Sequence, residues 1–279
     1  MKIGFLGQGF VGKNLADNME RRGVGEIIRY SLEKSHAGNK DKIKDCDIVF
    51  IAVPTPTTPE GVDNSILFDV IRLVGVGKIA VIKSTILPDT AFKLRSSAPD
   101  RYIISNPEFL NSHNAKRDTD HPERNVLGVP DYTIDIWQTQ AKKVLDILPS
   151  ASINIICNYK EAAYIKYGGN CFLYFKLMFF NILYDLINDE NVDWTLIRKT
   201  IANDSRIGDA YTRVTDKGGR GAGGYCLIKD FAAMRMMMEA KGNDPSGQEI
   251  MRWLEVKNRE LLERSGKDLD LLEGVYGKG

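Results

Sequence analysis

An excess of charge of either sign is missing from this chain: 38 basic and 37 acidic residues leave a net charge of +1 over 279 residues. Without a basic surplus there is no electrostatic footprint for nucleic acid. Cysteine is sparse. The four thiols, Cys46, Cys157, Cys171 and Cys226, form no CxxC pair and no His-linked metal pattern. No metal site is expected from them, and they read as thiols of a reducing compartment. A charged-then-apolar leader is absent too, and the chain enters a strand-like run at Lys2, so a cytoplasmic protein is expected. Long apolar runs are limited to Cys171–Tyr184, which Lys176 and Asn181 interrupt short of the ~20 residues a bilayer span needs. A buried helix, not a membrane one, is expected there. There is no internal repeat and no low-complexity tract.

What is present is an ordinary globular composition, 43% hydrophobic and 27% charged, long enough for two domains. Up to about residue 157, strand and helix patterns alternate. Strands are expected over 2–6, 27–30, 47–53, 78–83, 101–105, 125–128 and 153–157, with helices near 10–22, 65–74 and 133–148. The run Asp47–Val53 has the continuous apolar character of a buried parallel strand. This pattern predicts an α/β fold, a Rossmann-type doubly wound parallel sheet over 1–157, trimmed between its second and third strands. From 158 to 279 the period is helical: a long helix over 159–189, others near 193–203, 226–240 and 247–265, and a frayed tail at 274–279. The second domain is therefore expected to be all-helical, around a long central helix.

Gly7-x-Gly9-x-x-Gly12 follows a strand and opens a helix, the setting in which this spacing binds a dinucleotide. The first glycine allows the tight turn, the second lets a pyrophosphate approach, and the third allows close helix–strand packing. Phe10 and Val11 lie within the same loop. The acidic residue of the fingerprint is not at its usual place. Ser31 stands there for a ribose hydroxyl, with Glu33 near, while Arg29 and Lys34 leave room for a 2′-phosphate. NAD is the expected cofactor. Val53-Pro54-Thr55 and Lys83-Ser84-Thr85 end strands at the carboxyl edge where such sheets bind ligands, as does Asn106-Pro107-Glu108-Phe109-Leu110. Glu108 is a candidate general base.

Lys166 and Asn170, one helical turn apart, are candidates to stabilise an alkoxide. Gly168 and Gly169 between them cost roughly 1 kcal/mol each in a helix interior, which suggests close packing against the backbone. Arg206, after a helix end, is suited to a phosphate or carboxylate. The run Gly219–Asp230 sets Cys226 after a glycine-dense loop at a helix start, with Lys229 three and Asp230 four residues on. Backbone N–H groups and an ammonium there favour thiolate, and Asp230 on the same face can take or hold a proton. A dinucleotide site and a poised cysteine together suggest an oxidation through a covalent intermediate.

In order along the chain, GQGFVG (7–12), CDIVFIAVPTPT (46–57), KST (83–85), NPEFL (106–110), PERNVLG (122–128), KYGGN (166–170), DSRIG (204–208) and GAGGYCLIKD (221–230) resemble the UDP-glucose/GDP-mannose dehydrogenase family. The resemblance implies oxidation of a nucleotide-sugar C6 alcohol to a carboxylate with two NAD⁺, a step that serves polysaccharide biosynthesis. It implies that Cys226 is the nucleophile that holds the aldehyde as a thiohemiacetal, and that Lys166 and Asn170 stabilise the oxyanion. Asp230 then activates water, Glu108 hydrolyses the thioester, and Thr85 holds that water beside the nicotinamide. Ser84, Val53, Pro54 and Thr55 would line the cofactor with the fingerprint, and Lys229 would lie near its phosphates. Phe109, Leu110 and Gly223 would join Glu108, Lys166 and Asn170 at the substrate. Arg206 would reach the substrate of a partner in a homodimer built on the long helix 159–189. UDP-glucose is the expected substrate, with GDP-mannose, a UDP-N-acetylhexosamine or a non-catalytic dinucleotide-binding module as alternatives. Two positions depart from the family: Ser112 stands where a second glutamate is frequent, and Ile228 where proline is. Family members continue into a further α/β domain, so a short form without that nucleotide-binding domain is expected.

Overall fold

The computed structural model describes residues 1–111 and 113–278; Ser112 lies outside the described residues. In chain order it begins β1 (Lys2–Leu6), α1 (Phe10–Arg21), β2 (Glu26–Tyr30) and β3 (Ile48–Ile51). A hairpin of β4 (Thr57–Thr58) and β5 (Gly61–Val62) precedes α2 (Ser65–Val70), β6 (Ile79–Ile82), α3 (Thr90–Ser97) and β7 (Tyr102–Ser105). Then come α4 (Ala115–Asp120), β8 (Arg124–Val129), α5 (Asp135–Leu145), β9 (Ile153–Asn158) and α6 (Tyr159–Ile187). The chain continues with α7 (Trp194–Ala202), β10 (Thr215–Asp216), β11 (Gly219–Arg220), α8 (Tyr225–Lys241), α9 (Pro245–Ser265) and α10 (Leu269–Tyr276).

Two compact units result, Met1–Thr55 with Asp63–Lys166, and Pro56–Val62 with Tyr167–Gly279. The first is built on a seven-stranded sheet in the order β2-β1-β3-β6-β7-β8-β9. Strands β2 to β7 run parallel, β7 meets β8 antiparallel at Ser105 and Gly128, and β8 and β9 are parallel to each other. The sheet is thus the expected doubly wound one, with two reversed strands added at its edge. Side chains alternate between faces, which explains the unbroken apolar runs. Ile48 and Phe50 of β3 join one core with Leu15, Met19, Trp137 and Val144, while Val49 and Ile51 join the other with Leu67, Ile71 and Leu94. Each such side chain taken from water contributes roughly 1.5–3 kcal/mol. The trimming between β2 and β3 takes the form of one 3₁₀ helix, Ala37–Asp45. Strand order reverses between β1 and β3, and that switch point lies beside the glycine loop.

In the second unit, α6, α8 and α9 share a core of Cys171, Tyr174, Leu177, Met178, Phe231, Met251 and Leu261. Tyr174 and Phe231 stack with ring centroids 3.7 Å apart. Asp193 caps α7 through Thr195 and Leu196 N–H, as its position before the helix led one to expect. Three expectations need correction. Residues 274–276 are not a frayed tail but the last turn of α10, with Val275 buried. By length and composition α6 does qualify as a membrane span, with mean hydropathy 1.3, despite Lys176 and Asn181. One such helix is weak support for a membrane, and the core just described takes up one of its faces. Nor, among the described residues, does anything press on Gly168 or Gly169: a Cβ at either would meet no such atom within 4 Å.

Candidate active site

The glycine loop of the first unit leaves β1 and enters α1 with the geometry its spacing predicts. Gly7 has φ +92°, and a Cβ there would lie 2.3 Å from Ala52 O; one at Gly12 would lie 2.1 Å from Gly7 O. Those two glycines are forced by crowding. Gly9, which caps α1, is the opposite case, since a Cβ there would meet nothing within 4 Å. Open space in front of a helix N-terminus fits a pyrophosphate. Phe10 and Val11 form the first turn behind it.

The two neighbouring strand ends are stitched together. Ser84 Oγ donates to Val53 O at 2.7 Å, and Thr55 Oγ1 donates to Thr85 O at 2.7 Å. Pro54 lies between these two anchors. Ser31, following β2, accepts from Glu33 N–H at 3.3 Å. Arg29 is not open to a 2′-phosphate: it pairs with Asp17 at 2.7 Å and Glu20 at 2.8 Å and donates to Gln8. That half of the NADP alternative is removed, and Gly9 with Ser31 fits NAD.

Further along the same edge, Lys166 Nζ lies 3.0 Å from Glu108 Oε1, the two side chains being only 4% and 10% exposed. Leu110 N–H donates to Glu108 Oε2 at 2.6 Å. Burial works to raise the Glu108 carboxyl, but Lys166, the Leu110 N–H and Lys83 outweigh it and hold it below the ordinary carboxylate range. Phe109 packs between two cations, Arg124 at 4.1 Å and Lys166 at 5.5 Å from its ring centre.

The second unit holds the other candidates. Gly224, with φ +81°, caps α8, and Cys226 is exposed on its first turn. Asp230, fully buried, accepts from Asn170 Nδ2 at 2.6 Å and from Lys229 Nζ. Lys166 and Asn170 thus each bond a different carboxylate, Glu108 and Asp230. Lys229 also lies 5.5 Å from the Tyr225 ring centre, and its carbonyl accepts from Thr57 Oγ1 at 2.9 Å. Arg206 is exposed and grips Asp204 of its own loop.

Sequence reasoning missed how the glycine loop is held. Asn258 Oδ1 accepts from Ala222 N–H at 2.6 Å, and its amide returns a bond to Ala222 O at 3.1 Å. Asp268 Oδ2 accepts from Gly224 N–H at 2.7 Å. A Cβ on Gly223 would lie 2.2 Å from that same carboxylate, so this glycine is fixed by packing. The missed residues stand 36 and 44 positions from their partners, and no local signal points to them.

A Rossmann-type sheet with this glycine loop defines the class: a dinucleotide-binding α/β protein, whose second unit carries a candidate nucleophile in Cys226. The chain belongs to the UDP-glucose/GDP-mannose dehydrogenase family. Residues 26–144 match that family's NAD binding domain, and 160–259 match its central domain. NAD is the cofactor of this domain. Among curated relatives, the UDP-glucose 6-dehydrogenase of Rickettsia bellii is 31% identical over 209 residues, 71% of this chain and 46% of the relative. The UDP-glucose 6-dehydrogenase AglM of Haloferax volcanii is 30% identical over 245 residues, 80% of this chain and 56% of the relative. The chain thus spans about half the length of the curated relatives it matches. A UDP-glucose dehydrogenase structure from Pyrobaculum islandicum superposes with a TM-score of 0.76 at 25% identity, covering 95% of this chain and 71% of that one.

Proposed function

We propose that the protein is an NAD-dependent nucleotide-sugar 6-dehydrogenase that converts UDP-glucose to UDP-glucuronate in the cytoplasm. The observation that carries this reading is Cys226, exposed on the first turn of α8 and one turn ahead of the buried Asp230. The relatives' names, UDP-glucose 6-dehydrogenases, supply the substrate. NAD⁺ would supply the hydride acceptor when bound, one molecule for each of the two oxidations. After the first, the sugar C6 is an aldehyde. The Cys226 sulfur adds to its carbon, a C–S bond forms, and the oxygen that gains charge is stabilised by Lys166 and Asn170. The second oxidation turns this thiohemiacetal into a thioester. Glu108 and Asp230 each take one of the two protons of an attacking water, which Thr85 holds; the C–S bond breaks, the sulfur leaves as thiolate, and the carboxylate is released.

The reading includes a homodimer on α6. Phe172, Phe179, Ile182 and Leu186 are exposed at intervals of seven, three and four residues, one face of a helix that a second copy covers. Arg206 then serves the partner's substrate. Incubating the protein with UDP-glucose, GDP-mannose and UDP-N-acetylhexosamines, with NAD⁺ or NADP⁺, tests it. UDP-glucuronate formed preferentially with NAD⁺ is expected; tight NAD binding with no acid from any sugar would favour a non-catalytic module.

A further inference from the structure

Strands β6 and β7 are parallel neighbours with Ile82 opposite Ser105, so Lys83 and Asn106 leave the sheet side by side. Both exits are fixed by the backbone: Lys83 N–H donates to Ile51 O and Asn106 N–H to Ile82 O, each at 2.8 Å. Lys83 Nζ then donates to Asn106 Oδ1 at 3.0 Å. The amide of Asn106, a residue 1% exposed, donates in turn to Val126 O at 2.8 Å. Its oxygen is therefore locked toward the ammonium. Two residues on stands Glu108. The charged groups that act on Lys83 are Glu108 and Lys166, and Glu108 feels both ammoniums. One buried carboxylate is thus served by two cations, where one would neutralise it.

We propose that Lys83 is a positioning residue and the standing counter-ion of Glu108: through Asn106 it fixes the 106–110 segment, and it keeps Glu108 ionised when Lys166 turns to a substrate oxygen. Only that last clause rests on the dehydrogenase reading. A carboxylate left alone in this interior would take up a proton and stop acting as a base. Burial pushes the Lys83 ammonium down to about 8; Glu108 pulls it up, and Lys166 lowers it further. Lys83 is accordingly charged at neutral pH and loses that charge above about 8, so its support for Glu108 is present below that pH and withdrawn above it. A lysine that the interior disfavours in this way is poor material for stability alone.

The test is a ¹³C NMR titration of the Glu108 carboxyl in the intact protein and in K83M and K83R, with melting curves and nucleotide-sugar turnover beside it. In K83M the Glu108 titration is expected to rise by about one pH unit or more, with a melting temperature no lower than that of the unaltered protein at pH 7. The acid limb of kcat should move with it while KM stays. The Glu108 signal of the unaltered protein should show a second inflection near pH 8 that K83R, whose guanidinium stays charged, lacks. An unmoved Glu108 titration in folded K83M, or a persistent inflection in K83R, overturns the proposal. A shifted titration with no turnover of any nucleotide sugar leaves Lys83 assigned and overturns the dehydrogenase reading instead.

Discussion

The two candidate carboxylates, one in each unit, are built in opposite ways. Glu108 sits at the end of a parallel strand, where sheet register brings Lys83 and Asn106 together and an ion pair to Lys166 closes the cluster. Asp230 sits on the first turns of a helix, where a glycine loop sets the start and Asn258 and Asp268 hold that loop from afar. The first cluster is enclosed and doubly cationic. The second sets a buried acid one helical turn after an exposed thiol. The difference teaches what each setting can do: a sheet edge can hold a carboxylate in a set charge state, and a helix start can present a thiol to solvent.

The largest way to break this contrast is Cys226→Ser. Acid formation should fall on the order of a thousandfold or more, while NAD binding, followed by fluorescence, stays unchanged; undiminished acid formation would make the sulfur structural. Next is Glu108→Gln, which leaves Lys166 and Lys83 without their anion. Urea unfolding should show a loss of about 3 kcal/mol. Because Glu108 is held below its ordinary value of 4.5, its contribution is full above that range and lost as pH falls through the lower folded value. The unaltered protein should lose this stability on acidification, and E108Q should not.

Asn258→Ala sharpens the other side. It strips the partners from both polar groups of Ala222 and should cost about 2 kcal/mol in urea unfolding, with turnover falling because the loop before Cys226 loosens. A stable variant would show that the loop holds itself. The smallest effect on a single chain is expected for Phe179→Glu, within about 0.5 kcal/mol. Light scattering should nonetheless show the dimer dissociating, with activity lost at the same dilution.

Much of the first cluster was legible because its signals are local. The apolar run of β3, the glycine spacing and the strand-end loops are each read within a few residues, and Glu108 follows from its place after β7. The short helix α4 was not legible, since Ala-Lys-Arg-Asp-Thr-Asp has no apolar period to detect. The same holds for pairings across distance. Lys166 and Asn170 share a helix and were read as one device, yet each turned to a carboxylate about 60 residues away in sequence, Glu108 at a separation of 58 and Asp230 at 60. The pairing of Lys83 with Asn106 is likewise not legible, because only the register of β6 and β7 sets the two side by side.

The most direct measurement is the amount of reduced NAD formed per molecule of UDP-glucose consumed, with the products identified. The account expects two per sugar and UDP-glucuronate as the product, because Cys226 retains the aldehyde between oxidations. A ratio of one with free aldehyde in solution would contradict it.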